Sequence, residues 1–357
     1  MPRPCTKSFM VKQAEKSRPN LLDFTLEEME DFIAGLGKEK FRARQIMKWL
    51  HQKNASSFEE MTSLSLDFRD NLARISRIHR PQIEKIQASQ DGTKKALLRL
   101  EDSLFIESVL IPGKNHWTIC IYTQVGCAMG CKFCLTARRG LKRNLSPAEI
   151  VGQLSVLKAK TPEGPDIKNI VMMGMGEPLA NYANTLKAIK ILTSDFGAAF
   201  SNRKVTVSTC GLAPEIKKLG KDICINLAVS LNAADDPTRD RLMPVNKKYP
   251  LVKLLDACRK YPMPGRRMLT FEYILIDSVN SSAQDAQKLA ALLKNQRCKI
   301  NLIVFNEFPG AAFKAPPPQD VHTFQRLLIE KHFTTILRAG RGTDIRAACG
   351  QLSGDYN

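Results

Sequence analysis

Gly126-Cys127-Ala128-Met129-Gly130-Cys131-Lys132-Phe133-Cys134-Leu135 separates three cysteines by three residues and then by two. Soft thiolates select zinc or iron-sulfur clusters, and a closed structural zinc site takes four protein ligands. Three cysteines on a [4Fe-4S] cluster leave one iron open to a small molecule, and an open iron is a place for chemistry. Cys131-x-x-Cys134 also looks like half of a zinc ribbon, with His116 as a remote further ligand. The chain has no second Cys-x-x-Cys pair, so the spacing favours the cluster over zinc or a structural role.

Outward from this run, β-type segments alternate with helical ones. Strand candidates are 117–123, 168–173, 204–208, 224–230, 268–276 and 299–305, and two further short ones precede them at 96–100 and 104–111. Helix signals fill the gaps. Ser146-Pro147-Ala148-Glu149 combines an N-cap, a proline at the first helical position and a capping-box glutamate, and Pro214 and Gly220 bracket a short helix. Strands alternating with helices predict parallel βα units, here an α/β fold with an open (βα)6 barrel. In such a fold functional residues gather at the carboxyl ends of the strands, where the motifs below stand.

The first part of the chain reads differently. Residues 1–20 are polar and basic and are expected to form a disordered tail. From 21 to 80 the pattern is that of a small helical domain: Thr25-Leu26-Glu27-Glu28 has the form of a capping box. Phe41, Ile46, Trp49 and Leu50 are expected on one side of the next helix, leaving Arg42, Arg44, Lys48 and Lys53 outside. A β linker or extension over 81–112, a core over 113–345 and a C-terminal loop over 346–357 complete the expected division.

With 357 residues and 43% hydrophobic content, the chain can bury a sizeable core. No run of eighteen apolar residues and no signal peptide is visible, so a soluble cytoplasmic protein is expected, without membrane partner. Fifty-four Lys and Arg against 35 Asp and Glu give a formal charge of +19, which argues for a polyanion, nucleic acid above all.

Gly174-Met175-Gly176-Glu177-Pro178 follows the second barrel strand, where glycines let backbone approach a ligand closely. Ser208, Ser230 and Asn232 close the third and fourth strands and Asn306 the sixth; their residue types suit ribose and carboxylate, and equally suit helix capping. Cys349 lies in a glycine-rich segment near the C-terminus. Cys5, Cys224, Cys258 and Cys298 read as incidental or core residues, and Cys210 as one that packs.

The cysteine triad and the Gly-Glu-Pro turn resemble the radical SAM superfamily. With Gln124-Val125-Gly126, Arg143-Asn144-Leu145, Asn306-Glu307-Phe308-Pro309-Gly310 and Ala348-Cys349-Gly350-Gln351-Leu352, they are similar to the RlmN family of adenine C2-methyltransferases of 23S ribosomal RNA and transfer RNA. The resemblance runs from about residue 20 to the end. The cousin family, Cfr, methylates carbon 8 of the same ribosomal adenine; Val125 and Pro178 fit RlmN better.

The resemblance implies one [4Fe-4S] cluster on Cys127, Cys131 and Cys134, and S-adenosylmethionine (SAM) held by Gly176, Glu177, Ser208, Ser230, Leu231, Asn232 and Asn306. The family commonly has histidine where Asn232 stands, which leaves a backbone contact there. Cys349 is implied as the cysteine methylated in a ping-pong route, Cys120 as the cysteine that resolves the covalent RNA adduct by forming a disulfide, and Glu107 as proton acceptor. Implied partners are 23S rRNA, tRNA and an electron donor such as flavodoxin or ferredoxin, with the enzyme a monomer. Such a route suits the target: carbon 2 of adenine is electron-poor and cannot attack a sulfonium methyl as a nucleophile. Lys132, Arg138, Arg139, Lys142 and Arg143, together with the N-terminal basic helix, are expected to hold RNA backbone. The competing readings are a carbon-8 methyltransferase, a non-catalytic zinc RNA-binding factor and an enzyme that installs glycyl radicals.

Overall fold

A computed structural model describes residues 18–161 and 166–352; most of the expected tail, Cys5 and the last five residues lie outside that range. The chain divides into two compact units, one of residues 1–82, 146–162 and 186–200 and the other of 83–145, 163–185 and 201–357.

The first unit is helical. Leu26–Gly35 opens with the expected capping box: the Thr25 hydroxyl accepts from the Glu28 N–H and the Glu28 carboxylate accepts from the Thr25 N–H. Phe41–His51 follows, with Ala43, Ile46, Met47, Leu50 and His51 buried. Phe41 is instead exposed, at 47%, with the Arg42 guanidinium stacked over its ring. The helical period explains this. Positions 43, 46, 47 and 50 form one stripe, and residue 41 falls off it. Leu66–Ile75 adds a third helix. Pro147–Lys160 is buried on most of its sides and begins at the second expected capping box, Ser146 with Glu149.

The second unit is built on a ten-stranded sheet of order β1-β2-β3-β4-β7-β8-β9-β10-β11-β12. Its elements are β1 (Gln82–Ala88), β2 (Lys94–Arg99), β3 (Phe105–Pro112), β4 (Trp117–Cys120), β7 (Ile167–Met172), β8 (Val205–Thr209), β9 (Asn226–Ser230), β10 (Leu269–Leu275), β11 (Cys298–Val304) and β12 (Thr334–Arg338). From β4 to β12 every neighbouring pair is parallel, the arrangement expected of βα units. The parallel set has a seventh strand, β12, beyond the six expected. β2, β3 and β4 pair antiparallel, and through them the segment 81–112 extends the same sheet. Neither edge strand pairs with the other, and the barrel stays open.

A separate hairpin, β5 (Gln124–Gly126) with β6 (Leu141–Asn144), frames the cysteine run. Gly126 has φ +81°, and a Cβ there would stand 2.0 Å from the Gly140 carbonyl oxygen, so the strands close on the loop only at glycine. Gly220 lies inside the helix Ala213–Asp222 rather than ending it. A Cβ at that position would meet Pro262 Cδ at 2.6 Å, so close packing is the reason for glycine. Among the described residues no helix is long and apolar enough to cross a membrane.

Candidate active site

One pocket of the second unit gathers Cys127, Cys131, Cys134, Gly176, Glu177 and Cys349 with Ser208, Ser230 and Asn232. Strand order explains the gathering: β7, β8, β9 and β10 lie side by side and end at the same rim. The cysteine loop closes over that rim from the β5–β6 hairpin. Burial pushes the Cys127 thiol up to about 12 and raises Cys131 as well, the neighbouring thiols of the triad adding to both.

The turn after β7 is shaped by its glycines. A Cβ on Gly174 would stand 1.7 Å from the Tyr122 ring, and one on Gly176, at φ +99°, 2.7 Å from Gln124 Cβ. Glu177 is buried, and each of its carboxylate oxygens accepts a backbone hydrogen bond. Its backbone N–H donates to Gln124 Oε1 at 2.8 Å, Oε1 accepts from the Leu179 N–H at 3.0 Å, and Oε2 accepts from the Cys210 N–H at 2.7 Å. Desolvation nonetheless wins over these bonds and raises its pKa. The carboxylate thus holds the turn against β8, with lone pairs left for a ligand.

Ser208 Oγ donates to Glu272 Oε2 at 2.8 Å, and Ser230 Oγ reaches the same oxygen at 3.5 Å. Glu272, on β10, lines the pocket; desolvation raises its pKa against the two serines and the Arg338 charge. The Asn232 side chain lines the pocket yet is spent on the fold. It accepts from the Ile274 N–H at 2.9 Å, and its amide nitrogen lies 3.3 Å from Met243 Sδ, at a backbone φ of +57°. Leu231 is fully buried away from the lining, its N–H donating to the Glu272 carbonyl.

Cys349 is exposed to the pocket mouth, while the walls around it push its thiol up to about 11, with Glu272 adding to the effect of desolvation. Asn306 stands outside the lining and donates from Nδ2 to the Cys349 carbonyl at 3.1 Å. Cys120 and Cys349 are both free thiols. Cys120, at the end of β4, is buried; desolvation first and the neighbouring Cys349 charge second raise its pKa, so the two sulfurs share one electrostatic environment. Glu107, on β3, is buried outside the pocket lining and pairs with Lys95 Nζ at 3.0 Å.

Glu272 and Lys95 escaped the sequence reading. Glu272 sits inside an apolar strand run, where a carboxylate is costly unless engaged, and that is the one signal it offered. Cys210 packs in an apolar cluster with Phe133 and Met243, as expected. Of the basic run beside the cysteines, Arg138 is held by the Gly310 carbonyl at 2.8 Å and by the Phe308 ring, and Arg143 by Asp102 at 2.6 Å. In the helical unit Arg44 and Lys48 both lie over the Phe196 ring, at 5.2 and 5.4 Å from its centroid, and Lys53 over Trp49 at 3.7 Å.

An open parallel barrel, a three-cysteine loop after its first strand and a Gly-Glu turn after its second define a radical SAM enzyme. Residues 121–290 match the family model described as the radical SAM superfamily, and residues 19–78 match that of the ribosomal RNA large subunit methyltransferase N-terminal domain. A dual-specificity RNA methyltransferase RlmN of Syntrophus aciditrophicus is 64% identical over 338 residues, covering 95% of this chain and 97% of that protein. The Geotalea uraniireducens protein of the same name is 52% identical, covering 94% and 96%. The crystal structure of a radical SAM methyltransferase from Sphaerobacter thermophilus superposes with a TM-score of 0.88 at 40% identity, covering 94% of this chain and 99% of that one. The chain belongs to the RlmN family and is an RNA methyltransferase.

Proposed function

We propose that this enzyme methylates carbon 2 of adenine in 23S ribosomal RNA and in transfer RNA, carrying the methyl group on Cys349. The observation that carries the reading is that Cys349 opens onto the pocket lined by the cysteine triad and the Gly176-Glu177 turn. A methyl carrier has to stand there, within reach of SAM and of a base entering from the rim.

The donor set fits a [4Fe-4S] cluster. Three thiols line the pocket, yet among the described residues no group of three His, Cys, Asp or Glu side chains is placed to hold a single metal ion. A cluster spreads its ligands over several irons, whereas zinc needs them to converge. Cys127, Cys131 and Cys134 would hold it, and Gly176, Glu177, Ser208 and Ser230 would hold SAM. When bound, cluster and SAM together supply one-electron reduction and hydrogen abstraction.

The protein's own residues do the rest. Cys349 gives up its proton and takes a methyl group from SAM; the methyl, less one hydrogen, then bonds to carbon 2. Glu107 accepts the ring proton. The Cys120 thiol attacks the Cys349 sulfur, forming a disulfide as the carbon-sulfur bond breaks; its proton goes to the departing methylene, which becomes the methyl group, the one electron left over from the radical addition would return to the cluster, and the methylated base leaves. A reductant such as flavodoxin or ferredoxin feeds the cluster, and a thiol reductant resets the cysteines. Leu231, Asn232 and Asn306 act on SAM through the backbone and loop contacts already described.

The target base is unstacked into the pocket, and the helical domain over 21–80 holds RNA backbone with its cations. The enzyme works as a cytoplasmic monomer. Reconstituted protein, SAM and reductant are incubated with unmodified 23S rRNA or tRNA, and the nucleosides are read by mass spectrometry. 2-Methyladenosine is expected in both RNAs; 8-methyladenosine, or no methylated adenosine from protein with an intact cluster, overturns the reading.

A further inference from the structure

The β1–β2 hairpin grips the segment that leads to Cys349 at three points. Ser89 Oγ donates to Asp344 Oδ1 at 2.6 Å, and the Gln90 N–H donates to the other oxygen at 3.2 Å. The Gly342 N–H donates to Asp91 Oδ2 at 3.0 Å. Lys95 Nζ donates to the Arg346 carbonyl at 3.3 Å while it pairs with Glu107 at 3.0 Å. Gly342 has φ +63°, and a Cβ there would meet Thr93 Cγ2 at 3.0 Å, so the two chains approach closely.

Arg346 itself has φ +53°, a left-handed conformation that a side chain disfavours and that persists only where its surroundings impose it. The imposed residue is the one whose carbonyl Lys95 holds. Three residues further on stands Cys349, whose carbonyl is held by Asn306 on the opposite side.

We infer that the β1–β2 hairpin is a clamp that sets the position of Cys349, with Lys95 and Asp344 as positioning residues. It rests on the reading of Cys349 as methyl carrier and Glu107 as proton acceptor. Lys95 is the joint of the device: one ammonium fixes both the proton acceptor and the strap bearing the carrier, so the two are presented to the base in register. A displacement of the reacting groups by an ångström is enough to cost a large factor in rate, which is why a clamp remote from the chemistry governs kcat.

The test uses the full, reconstituted chain in four variants: Lys95→Met, Lys95→Arg, Asp344→Ala and, as control on the same hairpin, Glu84→Ala. Hydrogen exchange of the 341–349 amides is read by mass spectrometry, alongside kcat and KM for RNA. Lys95→Met and Asp344→Ala are expected to speed strap exchange about 5-fold or more and to lower kcat about 10-fold, with KM within about 2-fold. Lys95→Arg restores most of both, and Glu84→Ala changes neither. Asp344 is exposed, so its variant folds even if Lys95→Met does not. Unchanged strap exchange in Asp344→Ala overturns the clamp, and so does faster exchange with unchanged kcat. If the wild-type protein methylates no adenine at carbon 2, the functional reading falls, while strap exchange still decides whether the clamp exists.

Discussion

The two units bury acids and bases in different proportions. In the barrel unit the buried groups are chiefly acids: Glu177, Glu272 and the thiols Cys120, Cys127, Cys131 and Cys349, all raised by desolvation, though Arg239 is a base lowered there too. In the helical unit they are chiefly bases: desolvation lowers His51 to about 3 and Arg80 to about 10, though Asp23 is an acid raised there too. Burial drives each group to its neutral form, and the neutral form of an acid is made at low pH, that of a base at high pH. In the barrel unit burial therefore favours the protonated form of the acids it encloses. The helical unit keeps charges outside, over Phe196 and Trp49, and its buried His51 neutral.

The largest effects should come from the thiols. Cys349→Ala is expected to abolish methylation, by at least ~10³-fold. Cys120→Ala should let Cys349 accept its methyl and couple to RNA, then stop, leaving an RNA–protein adduct visible on a denaturing gel. An adduct in the first variant or free product in the second would separate these thiols from the chemistry.

Gly176→Ala comes next. The added Cβ falls 2.7 Å from Gln124 Cβ and 3.0 Å from its backbone nitrogen, at a φ of +99°. Neither backbone nor turn can yield without moving Glu177, so SAM affinity should fall ~10–100-fold and stability by ~1–3 kcal/mol. Calorimetric SAM titration and thermal melting read the two; wild-type SAM affinity in the variant would remove this turn from the site.

His51 carries the pH test of the helical unit. Its folded pKa is near 3 against 6.5 unfolded, so between those values the unfolded chain binds a proton that the folded chain refuses. Stability therefore falls as pH drops below 6.5 and is flat above it, by ~1.4 kcal/mol per pH unit at most. Neither ring nitrogen has a hydrogen-bond partner among the described residues, so no bond opposes the trend. Hydrogen exchange of the Phe41–His51 amides should quicken between pH 6.5 and 5, and His51→Gln should flatten that slope. Equal slopes in the two proteins would clear His51.

How much of this the sequence disclosed follows from the range of the interactions. The parallel strands were legible because β8, β9, β10 and β11 are short runs rich in β-branched, aromatic and apolar residues, set between helical segments. β12 escaped because its residues alternate between exposed and half-buried, and the β5–β6 hairpin because its strands are short and β6 is polar. Motif residues with a local signature, such as the cysteine triad and the Gly176 turn, were readable along the chain. Glu272 was not, because its partners Ser208 and Ser230 lie 64 and 42 residues away and only strand order unites them. Lys95 was hidden likewise, since its link to Glu107 needs the β2–β3 register, which no local pattern states. The helical unit recruits residues 146–162 and 186–200, which no composition shift sets apart from their neighbours.

Glu272 carries the smallest effect and the sharpest form of the comparison. Its folded pKa lies above the 4.5 of the unfolded chain, so stability is fully present below 4.5 and is lost as pH rises through the folded value. This is the reverse of His51. Glu272→Gln keeps the shape and can still accept from Ser208, so it should match wild type in melting temperature at pH 4 and exceed it at pH 8 by the equivalent of ~1 kcal/mol. It should also weaken SAM binding, because a neutral amide orients the two serine hydroxyls less firmly than a carboxylate does. A variant less stable than wild type at pH 8 would mean that the carboxylate's bonds to Ser208 and Ser230 outweigh its desolvation. The barrel unit would then be no mirror of the helical one, since its buried acid would be held as an ion and not kept protonated.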